Sequence, residues 1–153
     1  MQDKKRMTTR LKELFERPEI FVLAGGMNAM GAKMAEPDKL CINVMGDLAF
    51  STVGLDVETA VRSKIPTMTI IINNAYMSIY DNSRFPVAME KYNIKGLSGE
   101  FVEVARAMGA YTEQITAPDD IVGAIKRGVT ETEAGNTVVL EFITRDEGQY
   151  SKF

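Results

Sequence analysis

The stretch that decides the fold runs from residue 40 to residue 74 and reads LCINVMGDLAFSTVGLDVETAVRSKIPTMTIIINN. Two short runs rich in apolar and β-branched residues, 40–45 and 67–72, are typical of strands buried in a parallel sheet. Between them, 53–64 predicts a helix whose apolar residues lie on or near one face: Leu55, Val57, Ala60 and Val61. A strand, a helix and a strand over about 30 residues predict a βαβ unit, whose two strands are parallel.

Each of these strands ends in a polar dipeptide, Gly46-Asp47 after the first and Asn73-Asn74 after the second. Because parallel strands end at one edge of the sheet, where open α/β folds bind ligands, we expect these side chains to converge. Carboxylate and amide oxygens suit Mg2+, which usually carries substrate phosphates, and the next helix would aim its amino end at those phosphates. Taken alone, the same residues also allow a helix-capping Asp47 and an Asx turn at Asn73-Asn74.

The rest of the chain extends the alternation of strands and helices. A helical N-terminal extension is predicted over 1–18, with its helix at 8–16, and a strand over 20–24. The long polar stretch 75–98, which contains Pro86 and Gly96, is predicted to be a loop. Further helices are predicted over 28–35, 100–108 and 118–134, and further strands over 111–115 and 137–144. This order predicts an α/β fold, a doubly wound parallel sheet in a single domain covering 1–153.

Composition narrows the classes of function. The net charge of −3 argues against nucleic acid as a partner. No apolar run is long enough for a membrane helix, and no long apolar segment follows the basic amino end, so no signal peptide is predicted. The single cysteine, Cys41, lies in a predicted buried strand, which excludes an internal disulfide and indicates a reducing, cytoplasmic compartment. Without histidine, any chemistry must come from carboxylates, amides, backbone groups or a bound cofactor.

Gly46-Asp47, followed 27 residues later by Asn74, resembles the thiamine diphosphate signature Gly-Asp-Gly…Asn-Asn. The flanking segments 30–39, 57–66, 101–108, 118–120 and 138–144 are similar to the same region of acetolactate synthase-like, thiamine diphosphate-requiring proteins. The likeness covers about residues 20 to 148. It implies the thiamine diphosphate-binding fold, in its C-terminal, pyrophosphate-type domain.

The resemblance also implies two cofactors, thiamine diphosphate and Mg2+, and a set of site residues. The metal ligands would be Asp47, the amide oxygen of Asn74 and the backbone carbonyl of Tyr76, with Asn73 as a structural neighbour. Leu48 occupies the place of the second glycine of the signature, where its N–H can bind phosphate if the turn is not left-handed. The implied cofactor-binding positions are Gly26, Met27, Gly46, Asp47, Leu48, Ala49, Phe50, Asn74, Tyr76, Met77 and Ser78.

The activity implied by the resemblance is decarboxylation of a 2-oxo acid, with carbon–carbon bond formation or release, by a lyase or transferase. In that family the glutamate that activates the cofactor lies on a separate pyrimidine-binding domain. The chain would therefore be inactive alone and would pair with such a domain, on another chain or on a missing segment, in a homo- or hetero-oligomer. Glu58 lies in the predicted crossover helix and is therefore not that glutamate. With Asp56, it is expected to serve packing or a solvated face.

Two other classes of function remain open at this point. One is a degenerate, non-catalytic α/β binding module that has lost the cofactor. Two features favour it: Leu48 in place of a glycine, and a glycine-rich segment at 25–29 that is shorter than the corresponding segment of the family. The other is a flavodoxin-like or receiver-like domain that uses Asp47 as an isolated acid. Mg2+-dependent binding of thiamine diphosphate would separate the thiamine diphosphate-binding domain from both of these alternatives.

Overall fold

The computed structural model describes residues 20–24, 29–77, 83 and 85–145, with the backbone alone for 20–24. Its strands are β1 (Ile20–Ala24), β2 (Leu40–Gly46), β3 (Met68–Asn73), β4 (Tyr111–Ile115) and β5 (Val138–Ile143). Its helices are α1 (Ala29–Ala35), α2 (Asp47–Val53), α3 (Asp56–Arg62), α4 (Pro86–Tyr92), α5 (Phe101–Ala107) and α6 (Ile121–Glu133), the last preceded by a 3-10 turn at Pro118–Asp120. The predicted extension 1–18, with its helix, lies outside the described residues.

All five strands are parallel, in the order β1-β2-β3-β5-β4. The apolar runs of β3 and β5 lie at the centre, where near-continuous hydrophobic sequence is needed because both faces of the sheet are covered. Gly46 pairs with Ile72, so Asp47 and Asn73 leave the sheet at the same level. The predicted parallel pairing of the two strands is confirmed.

Helices cover both faces of the sheet, which gives the doubly wound α/β fold that the sequence predicts. On one face, α2, α3 and α5 pack on the sheet through a cluster of buried side chains: Met45, Phe50, Val57, Ile71, Phe101, Ala105, Ala110 and Val139. On the other face, α6 covers a second cluster: Met68, Ile70, Ile115, Ala124, Val138, Leu140 and Phe142. The two clusters hold the ends of β2, β3 and β5 in fixed positions at the carboxyl edge.

The crossover between β2 and β3 differs from the prediction, because it contains two short helices and not one helix over 53–64. The break falls at Gly54, which is buried against the helix before it. A Cβ at Gly54 would lie 2.6 Å from the carbonyl oxygen of Phe50 and 2.7 Å from its ring. Leu55 follows in the turn and is 74% exposed, so its predicted place on the buried face is wrong.

The predicted loop over 75–98 is also wrong in part, since it contains α4. Pro86 occupies the first turn of α4, and Asn93 ends the helix with a left-handed φ of 46°. None of the side chains of α4 is buried. Every helix in the described part of the chain is too short or too polar to cross a lipid bilayer.

Candidate metal centre

Asp47 links the two polar dipeptides. It is the first residue of α2 and only 3% exposed. Its Oδ1 accepts a hydrogen bond of 2.8 Å from the N–H of Leu48, and its Oδ2 accepts one of 2.8 Å from the N–H of Ala75. The carboxylate therefore connects the end of β2 to the turn that follows β3, as the parallel pairing predicts.

The turn after β3 consists of two overlapping Asx turns. Oδ1 of Asn73 accepts a hydrogen bond of 2.9 Å from the N–H of Ala75, and Oδ1 of Asn74 accepts one of 3.0 Å from the N–H of Tyr76. Ala75 has a left-handed φ of 60°, a conformation that is uncommon for a residue with a Cβ. The Asx turn that the sequence allows at Asn73-Asn74 is thus present. The N–H of Ala75 donates both to Asn73, within the turn, and to Asp47.

Tyr76 forms a single antiparallel bridge with the segment that follows α4. Two hydrogen bonds of 2.8 Å flank the bridge, from the N–H of Met77 to the carbonyl of Lys95 and from the N–H of Leu97 to the carbonyl of Ala75. In a pair of this kind the central residue directs its own N–H and C=O away from the partner strand. The Tyr76 carbonyl, the predicted third ligand, therefore points away from the bridge.

Gly46 and Leu48 show how the first turn of α2 meets the site. Gly46 is extended, with φ −78° and ψ 166°, and a Cβ placed there would find only the Ile72 oxygen, at 4.0 Å. The fold itself thus has room for a side chain, and the glycine leaves this space open beside Asp47. Leu48 is 38% exposed and helical, with no left-handed φ. The condition for phosphate binding by its N–H is met, although that group already donates to Asp47.

The remaining predicted cofactor-binding residues differ in their exposure, and some lie outside the described residues. Ala49 is exposed in the first turn of α2. Phe50 is 3% exposed and packs edge-on against Phe101, with ring centroids 5.9 Å apart, so its side chain belongs to the core. Met77 is half-buried beside Tyr76. Gly26, Met27 and Ser78 lie outside the described residues.

A buried carboxylate that sequence reasoning missed lies next to the turn. Glu141 in β5 is fully buried, and its Oε1 accepts a hydrogen bond of 2.7 Å from Nδ2 of Asn73. Its Oε2 accepts one of 3.0 Å from Nε2 of Gln114. The N–H of Thr144, just beyond β5, donates to the Asn73 carbonyl at 2.7 Å. The available signal was a charged residue inside the apolar run VVLEFI, because unpaired carboxylates are rarely buried.

Among the residues that the structure describes, Asp47 has no charged side-chain partner at this edge of the sheet. Within the described part of the chain, no lysine or arginine side chain pairs with this carboxylate, whose contacts are backbone N–H groups. The described residues also contain no group of three or more His, Cys, Asp or Glu side chains suited to a metal. A cation site here would therefore combine one carboxylate with neutral amide and carbonyl oxygens, as the resemblance implies.

Glu58 lies in the crossover, and of the two roles expected for it the structure shows the solvated face. It is exposed on α3, and its Oε1 is 2.8 Å from Nε of Arg62. The hydrogen bond from Arg62 lowers the pKa of Glu58 below its ordinary value. These contacts describe a solvated surface ion pair.

Comparison with known proteins agrees with the motif and the fold. A family described as "Thiamine pyrophosphate enzyme, C-terminal TPP binding domain" matches residues 24–142. Sulfoacetaldehyde acetyltransferase of Alcaligenes xylosoxydans xylosoxydans is 29% identical over 126 residues, which are 78% of this chain and 20% of that protein. Acetolactate synthase of Bacillus subtilis (strain 168) is 30% identical over 105 residues, 66% of this chain and 18% of that protein.

A solved structure, the thiamine diphosphate-dependent 4-hydroxybenzoylformate decarboxylase of Rhodococcus jostii RHA1, superposes with a TM-score of 0.66 at 22% sequence identity. The superposition covers 79% of this chain and 23% of that one, and it supports the fold. The chain thus spans about a fifth of the length of the curated relatives it matches. Since the family match extends over most of its residues, the chain belongs to the thiamine pyrophosphate enzyme family, as a C-terminal TPP-binding domain.

Proposed function

We propose that this chain binds thiamine diphosphate through Mg2+ and forms the diphosphate-binding part of an acetolactate synthase-like or 2-oxo acid decarboxylase-like enzyme. The observation that carries the proposal is the 2.8 Å hydrogen bond from the N–H of Ala75 to Oδ2 of Asp47. It supports the proposal because it joins the two polar dipeptides of the signature at the carboxyl edge, where open α/β sheets bind their ligands.

The charge of Asp47 supports a bound cation. A carboxylate that is 3% exposed carries a desolvation cost. Two backbone N–H groups offset part of this cost, but they contribute dipoles and no full positive charge. Mg2+ prefers oxygen ligands and commonly joins a carboxylate to substrate phosphates. A bound Mg2+ would supply the positive charge that the described side chains leave out.

The proposed ligands are Asp47, the amide oxygen of Asn74 and the backbone carbonyl of Tyr76. An amide oxygen has two lone pairs, so Oδ1 of Asn74 can accept the Tyr76 N–H and still bind a cation. The Tyr76 carbonyl is directed away from its antiparallel bridge, which leaves it for a ligand on the other side. Among the described residues, we place the diphosphate against Gly46, Leu48, Ala49, the backbone of Phe50, and Met77. Gly26, Met27 and Ser78 lie outside the described residues and stay predictions from the resemblance.

When bound, thiamine diphosphate supplies the reactive carbon for 2-oxo acid chemistry. The residues of this chain bind and orient its diphosphate. The chain matches only about a fifth of the length of the relatives named acetolactate synthase and sulfoacetaldehyde acetyltransferase. We therefore assign the pyrimidine-binding part of the site to another chain or another segment, within a homo- or hetero-oligomer, and expect a cytoplasmic location.

Calorimetric titration with thiamine diphosphate, in excess Mg2+ and in excess EDTA, tests the proposal. Binding should require Mg2+, and Asp47→Asn should weaken it by at least about tenfold, because it removes the charge and turns an amide NH2 toward a backbone donor. Asp38→Asn is the matched control. Asp38 is exposed in the turn before β2, at the opposite edge of the sheet, so this variant should bind like the unchanged protein.

Equal affinity with and without Mg2+, or full affinity in Asp47→Asn, would remove the metal assignment. No binding under either condition would favour the non-catalytic module. Gly46→Ala adds an independent test, since the fold has room for its Cβ. That variant should keep nearly all of its stability and lose affinity, because the methyl group would fill the space beside Asp47.

A further inference from the structure

Glu141 is a carboxylate in the most buried part of the sheet. It is 0% exposed, like its neighbours Val139 and Leu140. Burial of a charged group is unfavourable unless hydrogen bonds replace the lost water. In the described residues, the replacement consists of two side-chain amides, Asn73 on Oε1 at 2.7 Å and Gln114 on Oε2 at 3.0 Å.

These contacts determine the orientation of the Asn73 amide. Oε1 of Glu141 is the acceptor of this contact, so Asn73 presents its NH2 group to Glu141. Its Oδ1 then faces the other way and accepts the N–H of Ala75 at 2.9 Å. If the amide were reversed, the NH2 group would meet the Ala75 donor and the oxygen would meet the carboxylate. Two hydrogen bonds would be lost together.

We propose that Glu141 is a positioning residue that holds the turn after β3 against Asp47, acting through Asn73. Its effect on the cofactor rests on the function proposed above. The Ala75 N–H that Asn73 accepts is the same group that donates to Oδ2 of Asp47 at 2.8 Å. Thr144, three residues beyond Glu141, fixes the carbonyl of Asn73 from the same strand end. Strand β5 and the residue that follows it thus hold Asn73 at its side chain and at its backbone.

A purely structural role for Glu141 makes a different prediction. If the carboxylate only completed the core, its replacement would lower the free energy of unfolding and leave the turn unchanged in the folded protein. If it positions the turn, its replacement frees the Asn73 amide to rotate. The Ala75 N–H then loses an acceptor even while the protein stays folded.

Amide hydrogen exchange of the Ala75 N–H, measured by NMR without cofactor or metal, separates the two roles. Glu141→Met should raise the exchange rate of Ala75 about tenfold, since methionine gives Asn73 no acceptor. Glu141→Gln should keep it within about threefold, because the new amide can direct its oxygen to Asn73 and its NH2 to Gln114. Gln114 is exposed and can rotate to accept that group. The N–H of Ile70, inside β3, reports global unfolding in every variant.

Glu113→Met is the matched control, since it removes a carboxylate from the neighbouring strand. Glu113 pairs with Arg127 of α6, on the other face of the sheet, at 2.6 Å. Its replacement should change stability and leave the Ala75 rate unchanged. If Glu141→Met does not fold, Asn73→Ala takes its place. This variant removes the side-chain oxygen through which Glu141 acts on the Ala75 N–H, and it should again speed exchange about tenfold.

An unchanged Ala75 rate in folded Glu141→Met, or in Asn73→Ala, would overturn the positioning role. So would equal acceleration in the control. A second arm tests the consequence: Mg2+-dependent affinity for thiamine diphosphate should fall about tenfold in Glu141→Met and stay within threefold in Glu141→Gln. If the unchanged protein binds no thiamine diphosphate, the proposed function fails, while the exchange rates still decide the role of Glu141.

Discussion

Shortening Leu48 should increase affinity for thiamine diphosphate. Leu48 lies in the first turn of α2, 38% exposed, with its N–H already bonded to Asp47. In a helix each side chain leans toward the amino end, so this side chain leans over the space that we assign to the diphosphate. We expect Leu48→Ala and Leu48→Gly each to tighten binding about tenfold, or 1.4 kcal/mol.

The two variants should differ in stability and not in affinity. Leu48 is 38% exposed as a residue, so removal of its side chain should cost about 1 kcal/mol, less than the roughly 2 kcal/mol of a fully buried leucine. Glycine should cost about 1 kcal/mol more than alanine, because it loses more backbone freedom on folding. Affinity should rise equally, since Leu48 has a right-handed helical backbone that does not need a glycine.

Calorimetry in excess Mg2+ measures the affinity, and thermal unfolding measures the stability. Leu55→Ala is the control, since it makes the same change at a residue that is 74% exposed beyond the far end of α2. Its affinity should not move. If both Leu48 variants bind less tightly, the leucine packs productively against the cofactor. If only Leu48→Gly gains affinity, the bound state needs a left-handed turn, and the reasoning from the helical φ is wrong.

Gly128→Ala should destabilise the protein by about 1 kcal/mol, because the new Cβ would lie 2.8 Å from Sδ of buried Met68. Overpacking of this kind costs about 1–3 kcal/mol, which exceeds the gain of up to about 1 kcal/mol from the higher helix propensity of alanine. Gly123→Ala, on the same helix, should stabilise it by about 0.5–1 kcal/mol, because its Cβ would meet only the flexible, exposed end of Arg127, at 3.2 Å. Thermal unfolding with the opposite order would refute the packing argument. The hydrogen bond from Arg127 lowers the pKa of Glu113, so Arg127→Gln should reduce stability slightly at pH 7. Unfolding measured from pH 7 to pH 3.5 should show this difference shrinking as pH falls below the ordinary value of 4.5; a difference that persists would contradict the pairing. Purified alone with cofactor, the chain should show no acetolactate formation from pyruvate above background, and turnover without a pyrimidine-binding domain would show that its catalytic base lies within these residues.

Local sequence signals were sufficient to predict the centre of the fold. Strands β2 and β3 are covered on both faces, so nearly every position must be apolar, and such runs are visible without knowledge of their neighbours. The Gly46-Asp47 and Asn73-Asn74 dipeptides mark where the runs end. Since a helical crossover makes the strands parallel, their convergence at one edge follows from local pattern and connection alone.

Two local predictions failed because the relevant signals were ambiguous. Pro86 is common at the first position of a helix and also in loops, and α4 has no buried face that would produce an apolar stripe. The break between α2 and α3 depends on the close approach of Gly54 to Phe50. A glycine inside a helical pattern is tolerated, so its position alone did not predict that the helix ends there.

Glu141 could not be assigned a partner from sequence. It is 68 residues from Asn73, and the two strands become neighbours only because β5 lies between β3 and β4. The strand itself was predicted correctly, but the order of strands in the sheet decides which side chains meet. The carboxylate stood out as an exception to an apolar run, which indicates a site without naming what it contacts.

An Asx turn commonly follows a strand, so Asn73-Asn74 alone does not distinguish a binding site from an ordinary turn. What distinguishes this edge is that the N–H of Ala75 joins two unfavourable features, a buried carboxylate and a left-handed backbone. Asp47 is buried, with no lysine or arginine of the described residues beside it, and Ala75 has a left-handed backbone that costs on the order of 1–3 kcal/mol. Stability alone would favour a glycine at 75 and a neutral or exposed side chain at 47. The cation that we propose at Asp47 would compensate the buried charge and give the strained turn a function.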